Sequence, residues 1–415
     1  MNVDTQRLKS DITENAQFGR IETESGHGRT VLTGSEADEK ARERFIAELE
    51  ALGLEVRVDA VGNIAGRWTP SSCDPEAAPV AVGSHLDSVP GGGIFDGPLG
   101  TYAAVEAIRA FQEHEVRPAR PIEVVSFTGE EGSRFGIGTL GSSVVAGQRP
   151  PTEALALEDA EGITLQDSLE GIGFAGSAEI DASNWDAWVE LHIEQGTRLT
   201  EAGANVGVVE SIVGITNCEV TITGEADHAG STPMFRRRDA LTAASAFVLD
   251  LERAAEEIAT WNEAAVATAG EATITPNARN IVPEEVQLQL DIRDVAHDTM
   301  DDLVDRCRSS LARLERRRGV ATALDRYRDS PPSRMSDRCI TAAQEAVDAR
   351  NIDAIRLHSA AMHDTANVAA VTDAGLLFAP SVDGVSHSPQ EWTNWDDCAT
   401  AAEALTETVR RLATT

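Results

Sequence analysis

V-A-V-G-S-H-L-D-S-V-P-G-G-G-I-F-D-G-P-L-G, residues 80–100, joins an apolar run, a glycine-rich loop and the start of a helix. The run at residues 79–83 predicts a buried strand that delivers His85 and Asp87 to its carboxyl end. The loop after it presents Asp96 before the helix begins. A strand, a polar loop and a helix in this order indicate an α/β sheet with a site at the carboxyl ends of its strands.

His85 and Asp96 are candidate metal ligands in this stretch, since imidazole and carboxylate are common ligands of divalent cations. Asp87 lies two residues after His85, so that on an extended chain both side chains point the same way. Asp87 can then hold the second ring nitrogen of His85, as carboxylates often do behind a histidine ligand. An isolated His or Asp in a loop is more often simply solvated, so the assignment depends on the rest of the chain.

Length and composition indicate a chain with two domains. Its 415 residues, 41% of them hydrophobic, are enough for large cores. No apolar run reaches the roughly 18 residues of a membrane-spanning helix, and the N-terminus has no secretory pattern. Five scattered cysteines without a C-x-x-C pair favour a reducing cytoplasm.

The charge is strongly acidic, with 69 Asp and Glu against 35 Lys and Arg and a formal net charge of −34. Such a surface repels nucleic acid and anionic membranes, so both are excluded as partners. A generic acidic protein is one interpretation. A protein of a high-salt cytoplasm, where salt screens the self-repulsion, is the favoured one.

The order of predicted elements divides the chain. Apolar strands alternate with amphipathic helices up to residue 210 and again after residue 330. Residues 211–330 follow the β-α-β-β-α-β order of a ferredoxin-like unit. Its strands are expected at residues 216–223, 272–281, 285–293 and 319–327, and its helices at 238–256 and 298–316. We therefore expect a catalytic domain of residues 1–210 and 331–415 with 211–330 inserted.

Two adjacent acids, Glu130 and Glu131, follow the predicted strand at residues 122–127 in a glycine-flanked loop. Two like charges at the end of an interior strand need a counter-charge, and a divalent cation is the natural one. One carboxylate would coordinate the cation, and the other would act as general base for water. A solvated surface pair is the alternative.

Histidines follow two further predicted strands. His192 ends the apolar strand at residues 187–193, and His387 lies in a polar loop after the strand at residues 376–379. Each alone is more often a core or surface histidine than a ligand. The strand-end groups together are His85, Asp96, Glu131, His192 and His387. Three imidazoles and two carboxylates suit a pair of Zn²⁺, Mn²⁺ or Co²⁺ ions with one bridging carboxylate.

Six motifs, in order over nearly the whole chain, carry a family resemblance: G-S-H-L-D-S-V-P-G-G-G-I-F-D-G-P-L-G, F-T-G-E-E-G-S-R-F, E-L-H-I-E-Q-G, G-E-A-D-H-A-G-S-T-P-M, N-A-R-N-I-V-P and D-G-V-S-H-S-P-Q-E. They resemble the M20 metallopeptidase superfamily, and within it the amidase, hydantoinase and carbamoylase branch. That branch comprises N-carbamoyl-L-amino-acid hydrolases, β-ureidopropionases and allantoate amidohydrolases. His192 selects it, because typical peptidases of the superfamily have Asp or Glu at the matching position.

The resemblance implies a zinc-peptidase-like α/β catalytic domain with an inserted ferredoxin-like α+β lid and dimerisation domain. It further implies two divalent metal ions (Zn²⁺, Mn²⁺ or Co²⁺) per subunit of a homodimer. Asp96 would bridge the ions, with His85 and His192 on one ion and Glu131 and His387 on the other. Glu130 would be the catalytic base, and Asp87 would orient His85.

The resemblance also implies substrate contacts, namely Gln195 near the metals, His228 at the scissile carbonyl, and Asn280 and Arg293 at the substrate carboxylate. His228 lies in a turn of small residues that can reach into a cleft. A guanidinium can bind a carboxylate with two hydrogen bonds, as Arg293 would. The alternative for Arg293 is a structural salt bridge with Asp291 or Asp294.

One segment departs from the branch, which commonly has S-G-A-G-H-D where this chain has S-A-A-M-H-D at residues 359–364. In the family this backbone approaches the substrate carboxylate, so we expect Ser359 and Ala360 to contact the substrate. The side chains of Ala360 and Met362 replace glycines and should narrow or reshape the pocket.

The expected activity is hydrolysis of a small ureido or amide substrate. The first expectation is an N-carbamoyl-L-amino acid, cleaved to the amino acid, CO₂ and ammonia. An allantoate amidohydrolase or β-ureidopropionase is the alternative. A metallo-dipeptidase or aminopeptidase, and a catalytically silent dimeric binding protein, are the remaining ones.

Overall fold

The computed structural model describes residues 2–414 of the chain. Its strands are β1 (Glu55–Val58), β2 (Ile64–Trp68), β3 (Val80–His85), β4 (Ile122–Phe127), β5 (Ala187–Ile193), β6 (Val206–Ile212), β7 (Gly214–Thr223), β8 (Asp227–His228), β9 (Val266–Thr275), β10 (Ile281–Val282), β11 (Glu285–Asp294), β12 (Ala321–Ser330), β13 (Ser333–Arg334), β14 (Ala354–Ser359) and β15 (Ala374–Ala379). Its α-helices are α1 (Thr5–Asn15), α2 (Glu36–Ala51), α3 (Pro98–Glu113), α4 (Leu140–Val145), α5 (Pro151–Leu155), α6 (Leu165–Gly171), α7 (Arg198–Ala202), α8 (Ala240–Ala259), α9 (His297–Arg318), α10 (Asp337–Arg350), α11 (Asp364–Val368) and α12 (Trp395–Thr414). They form two compact units, one through Glu210 and from Arg334 onward, the other Ser211–Ser333.

A mixed sheet forms the centre of the first unit, in the order β1-β2-β4-β3-β5-β15-β6. Its inner strands β4, β3, β5 and β15 run parallel to one another. All four are buried along their whole length, as expected of parallel strands that are covered on both faces. Helices α3 and α12 contact these strands and each other. The α/β class expected from the sequence is confirmed.

The parallel direction of these strands determines where the site forms. β3 ends at His85 and β5 carries His192 near its end, while Glu130 and His387 follow β4 and β15. Carboxyl ends of parallel strands meet at one edge of a sheet, so these loops converge. The glycine-rich loop allows close approach, because a Cβ at Gly97 would lie 2.5 Å from the His85 ring. Gly97 also has a φ of 81°, which favours glycine.

The second unit has an antiparallel sheet in the order β12-β7-β11-β9. Helices α8 and α9 pack on it, and their apolar side chains, Phe247 and Leu303 among them, form one core with alternate residues of β7 and β11. The chain order β-α-β-β-α-β is the predicted ferredoxin-like order. A separate two-stranded ribbon pairs β8 with β10.

Several boundaries differ from the predicted ones. β9 spans Val266–Thr275 rather than residues 272–281. Pro276 cannot donate to a strand ladder and Asn277 has a φ of 52°, so the chain turns there. Residues 55–68 form two strands, β1 and β2, with a turn at Gly62 between them. Among residues 2–414, none of the helices has the length and apolar composition needed to cross a membrane.

Candidate metal centre

Asp96 lies at the centre of a group of imidazoles and carboxylates. Its Oδ1 atom is 3.4 Å from Nε2 of His85 and 3.2 Å from Nε2 of His192. Its Oδ2 atom is 3.6 Å from Nε2 of His387, and that nitrogen is 3.4 Å from Oε2 of Glu131. The two oxygens of one buried carboxylate thus face two different sets of ligand atoms.

The chemistry of this donor set fits divalent cations. Nε2 of His85 is buried and has no hydrogen-bond partner within the described part of the chain. Burial raises the pKa of Glu131 to about 8 and that of Glu130 well above its ordinary value. Buried carboxylates that would otherwise take up protons stay ionised when a divalent cation lies among them. The group can therefore hold metal.

Backbone carbonyls orient two of the imidazoles. Nδ1 of His85 lies 3.2 Å from the carbonyl oxygen of Asp87, and Nδ1 of His192 lies 3.0 Å from that of Ile193. A proton on each Nδ1 can donate to its carbonyl, which leaves the lone pair of Nε2 for a metal ion. The two rings also stack, with centroids 5.8 Å apart.

The carboxylate of Asp87 positions the adjacent acids. Its two oxygens accept hydrogen bonds from the N–H groups of Glu130 and Glu131, each at 3.1 Å. Its Oδ1 atom is also 3.6 Å from Nδ1 of His85, the contact expected from the sequence. Oε2 of Glu130 comes to 3.8 Å from Nε2 of His85 but belongs to neither group of ligand atoms. A general base needs such a position, close to the reacting atoms and free to accept a proton.

Asp96 is itself held by residues that the sequence did not single out. Oε1 of Glu391 accepts the N–H groups of Phe95 and Asp96 at 3.0 and 3.1 Å. Oγ of Ser386 lies 2.9 Å from Oδ2 of Asp96 and 3.1 Å from Oε2 of Glu391. Both residues stand in the motif D-G-V-S-H-S-P-Q-E. The motif was the available signal, but nothing in its spacing indicates a contact with Asp96.

Gln195, expected to contact the substrate, lies against the same carboxylate. Its Nε2 atom donates to Oδ2 of Asp96 at 2.7 Å and to Oγ of Ser386 at 3.1 Å. Its Oε1 atom is buried and, within residues 2–414, accepts no hydrogen bond. The NH₂ group of Gln195 therefore binds Asp96, and its carbonyl oxygen is available as a hydrogen-bond acceptor.

The segment S-A-A-M-H-D reaches the centre through His363. The ring of His363 lies edge-on to that of His192, with centroids 4.5 Å apart. Its Nε2 atom is 3.1 Å from Oγ of Ser359, whose hydroxyl donates to the carbonyl of Ala361 at 2.8 Å. Ser359 is buried, and Ala360 is exposed. Of the two residues of this segment that are expected to contact the substrate, Ser359 makes internal hydrogen bonds and Ala360 is exposed to solvent.

His228 lies in the second unit, exposed to solvent. Its Nδ1 atom accepts hydrogen bonds from the N–H groups of Gly230 and Ser231, both at 3.0 Å. An accepting Nδ1 carries no proton, so in the neutral ring the proton is on Nε2. His228 thus presents a single N–H donor.

Asn280 and Arg293 lie in the same unit. The carbonyl of Asn280 accepts the N–H group of Ala229 at 2.9 Å, which places Asn280 beside the β8–β10 ribbon. Nε and Nη2 of Arg293 donate to the two carboxylate oxygens of Asp291 at 2.7 and 3.3 Å. This is the structural salt bridge that was the alternative for Arg293.

The chain is similar in sequence and fold to known proteins over nearly its whole length. Residues 81–411 match the model of peptidase family M20/M25/M40. The chain is 38% identical to an N-carbamoyl-L-amino acid amidohydrolase of Geobacillus stearothermophilus, over 96% of each chain. It is 32% identical to the allantoate amidohydrolase of Bacillus subtilis, over 98% of each chain. A hydantoinase/carbamoylase family amidase from Burkholderia multivorans superimposes with a TM-score of 0.93 at 34% identity, covering 100% of this chain and 99% of that one.

Proposed function

The chain belongs to peptidase family M20/M25/M40, and from this premise we propose that it hydrolyses N-carbamoyl-L-amino acids. One water is consumed, the bond between the amino-acid nitrogen and the carbamoyl carbon breaks, and the products are the amino acid, CO₂ and ammonia. The observation that carries the proposal is the position of His192, which faces Oδ1 of Asp96 together with His85. An imidazole there distinguishes the carbamoylase branch, as the sequence motifs imply.

We propose that the centre holds two divalent ions, Zn²⁺, Mn²⁺ or Co²⁺. His85 and His192 would hold one ion, Glu131 and His387 the other, and Asp96 would bridge them. Ions held by these residues would polarise a carbonyl and lower the pKa of water. The two sets of ligand atoms that share Asp96 support this count.

Glu130 is proposed as the base that takes the proton from water and returns it to the leaving nitrogen. The position of Glu130 beside His85 supports this proposal. The N–H group of Glu130 donates a hydrogen bond to Asp87, which fixes the backbone of Glu130 there. His228 is proposed to donate a hydrogen bond from its Nε2–H group to the substrate carbonyl oxygen as negative charge develops there.

Five residues are proposed as substrate contacts: Gln195, Asn280, Arg293, Ser359 and Ala360. The buried Oε1 of Gln195, which accepts no hydrogen bond from residues 2–414, suits a carbamoyl N–H group. Arg293 would leave the carboxylate of Asp291 and bind the carboxylate of the substrate. A guanidinium can donate two hydrogen bonds to either carboxylate in the same geometry.

The first unit is proposed as the catalytic domain, and the second as the lid and homodimerisation domain. Large apolar side chains exposed on the second unit support this role, among them Phe235 at 86%, Trp261 at 69% and Leu249 at 56% exposure. Light scattering coupled to size-exclusion chromatography, with Trp261→Ser and Leu249→Ser variants, tests it. A parent protein of monomer mass would contradict it.

Ammonia release from a panel of substrates tests the activity. Chelated protein is reloaded with Mn²⁺ or Co²⁺ in concentrated salt and offered N-carbamoyl-L-amino acids, N-carbamoyl-β-alanine, allantoate and dipeptides. Metal-dependent ammonia from an N-carbamoyl-L-amino acid supports the proposal. Free amine from dipeptides without ammonia would assign a peptidase instead, and silence of metal-loaded, folded protein would leave a binding role.

Allantoate is the second candidate substrate. The observation in its favour is the full-length likeness to an allantoate amidohydrolase. Allantoate bears two ureido groups on one carbon, whereas an N-carbamoyl amino acid bears one. The panel offers each compound separately, so ammonia release shows which of the two substrates the protein hydrolyses.

A further inference from the structure

A cleft of about 860 Å³ lies in the first unit, apart from the metal centre. Residues of α1, the segment after it, the loop before α3 and the start of α12 line it, and none of the candidate metal ligands or substrate contacts does. Its volume is in the range of small-molecule sites. Six of the lining side chains define its chemistry: Lys9, Arg20, Glu22, His27, Trp392 and Trp395.

Aromatic rings form one wall of the cleft. The Trp392 and Trp395 rings are nearly perpendicular, with centroids 5.8 Å apart at 83°. His27 stacks on Trp392 at 5.7 Å. Only 4% of the chain is aromatic and it has six tryptophans, so two of them in one accessible cleft is a concentration of stacking surface. Such faces bind flat rings in offset or edge-to-face arrangements.

Two cations line the same cleft. Lys9 is one of two lysines in the chain, and its ammonium lies 5.3 Å from the Trp395 ring centroid. Arg20 donates to Oε1 of Gln17 at 3.3 Å. Within the described residues, these contacts with an aromatic ring and an amide take the place of ion pairs with carboxylates. In a chain with 69 acidic and 35 basic residues, two cations in one cleft that form no ion pair with the described residues favour the binding of an anion.

We propose that this cleft is a second ligand site, which binds small aromatic carboxylates such as aromatic amino acids. The ring stacks on one of the two indoles, Trp392 or Trp395, and meets the other edge to face. The carboxylate pairs with Lys9 and Arg20. Glu22 supplies a carboxylate for the ammonium group of an amino acid. The inference is independent of the reaction at the metal centre, because none of its residues belongs to that centre.

Fluorine NMR of protein labelled with 5-fluorotryptophan tests the site, with the resonances of Trp392 and Trp395 assigned by Trp→Phe substitution. Titration with L-tryptophan or indole-3-propionate should shift these two saturably, with a dissociation constant of ~1 mM or below. Trp261, 69% exposed in the other unit, is the internal control and should not move. Titration of chelated protein should give the same shifts.

Variants assign the contacts. Lys9→Gln and Arg20→Gln should each weaken binding about fivefold, as expected for partly exposed ion pairs. Lys40→Gln, at the only other lysine, is the matched control and should change nothing. Glu22→Gln should weaken L-tryptophan but not indole-3-propionate, which has no ammonium. Three outcomes would each overturn the proposal. Neither tryptophan resonance shifts, the shifts persist in the Lys9 and Arg20 double variant, or the shifts disappear on chelation.

Discussion

Glu391 holds Asp96 by its main chain, since Oε1 of Glu391 accepts the N–H group of Asp96 at 3.1 Å. Oγ of Ser386 lies within hydrogen-bond distance of both Oε2 of Glu391 and Oδ2 of Asp96, so the loops that carry Asp96 and His387 share one polar frame. Glu391 is 1% exposed, so water does not compete for these bonds. A Cβ at Gly93 would come within 2.2 Å of the Glu391 carboxylate, which explains a glycine there. We therefore propose Glu391 as a positioning residue for the candidate ligands Asp96 and His387.

Glu391→Gln should loosen this frame. The amide oxygen can still accept the two N–H groups, but its NH₂ group replaces the acceptor next to Ser386. Loss of a partner behind a ligand typically lowers metal affinity ~10- to 100-fold. Competition with a chromophoric chelator measures it, and Glu345→Gln, on an exposed acid paired with Arg411, is the control. Parent-like affinity in Glu391→Gln would show that the frame does not position the ligands.

Glu130→Gln should retain metal and lose most turnover. The glutamine cannot take a proton from water, and general-base catalysis is typically worth ~10²- to 10⁴-fold. Glu131→Gln is the matched comparison, because Glu131 belongs to a ligand group and its loss should release metal as well. Metal content by elemental analysis and ammonia release separate the two effects. A Glu130→Gln enzyme as fast as the parent would exclude Glu130 as the base.

His228→Gln tests the carbonyl donor. The amides of Gly230 and Ser231 fix Nδ1 as an acceptor, so the donor lost is the Nε2 proton. Removing one such donor typically lowers kcat by ~10²- to 10³-fold, with less effect on KM. His297→Gln, at a histidine of the same unit that pairs with Asp329, is the control. Equal kcat in parent and His228→Gln would remove this role.

The convergence of the candidate ligands could be predicted, because His85, Glu131, His192 and His387 each end or follow a short apolar strand. β4 and β5 begin and end at the predicted residues, and β3 extends the predicted run to His85. Parallel strands then bring their ends together without further information. The ferredoxin-like order followed from the alternation of apolar residues in β7 and β11 and from the apolar faces of α8 and α9.

The supporting contacts could not be predicted, because they join distant segments. Glu391 and Asp96 are 295 residues apart, and their bond depends on how two loops cross at the sheet edge. Asp87 accepts hydrogen bonds from the N–H groups of Glu130 and Glu131. These bonds likewise depend on the pairing of β3 with β4. The strand β6 could not be predicted from the sequence either. It contains Gly207 and an exposed Glu210, so its pattern of apolar residues is too weak to indicate a strand.

A net charge of −34 predicts that salt stabilises the protein. Repulsion among surface acids is screened over about 10 Å at 0.1 M ionic strength and about 3 Å at 1 M. The melting temperature should therefore rise with KCl concentration. Sucrose at matched osmolarity is the control, because it changes hydration without screening charge. A melting temperature that stays level or falls with KCl would contradict adaptation to a high-salt cytoplasm.

Asp364 should make stability depend on pH. Its Oδ1 atom accepts a hydrogen bond from Ser142 at 2.5 Å, while Oδ2 is buried without a partner in the described range. Burial raises the pKa of Asp364 to about 8, against about 4 in an unfolded chain. Between these values the folded state holds the proton more tightly, so the free energy of unfolding should fall as pH rises from about 4 to about 8.

Asp364→Asn should flatten this dependence, because the amide keeps an acceptor for Ser142 and never ionises. Urea unfolding of chelated protein near pH 5 and near pH 8 measures it, and the variant should lose ~1–3 kcal/mol less than the parent over that interval. Asp348→Asn, on an exposed aspartate of α10, is the control and should follow the parent. If Asp364→Asn also follows the parent, the Asp364 carboxyl is ionised in the folded protein, and a positive charge that offsets its burial must lie close to it.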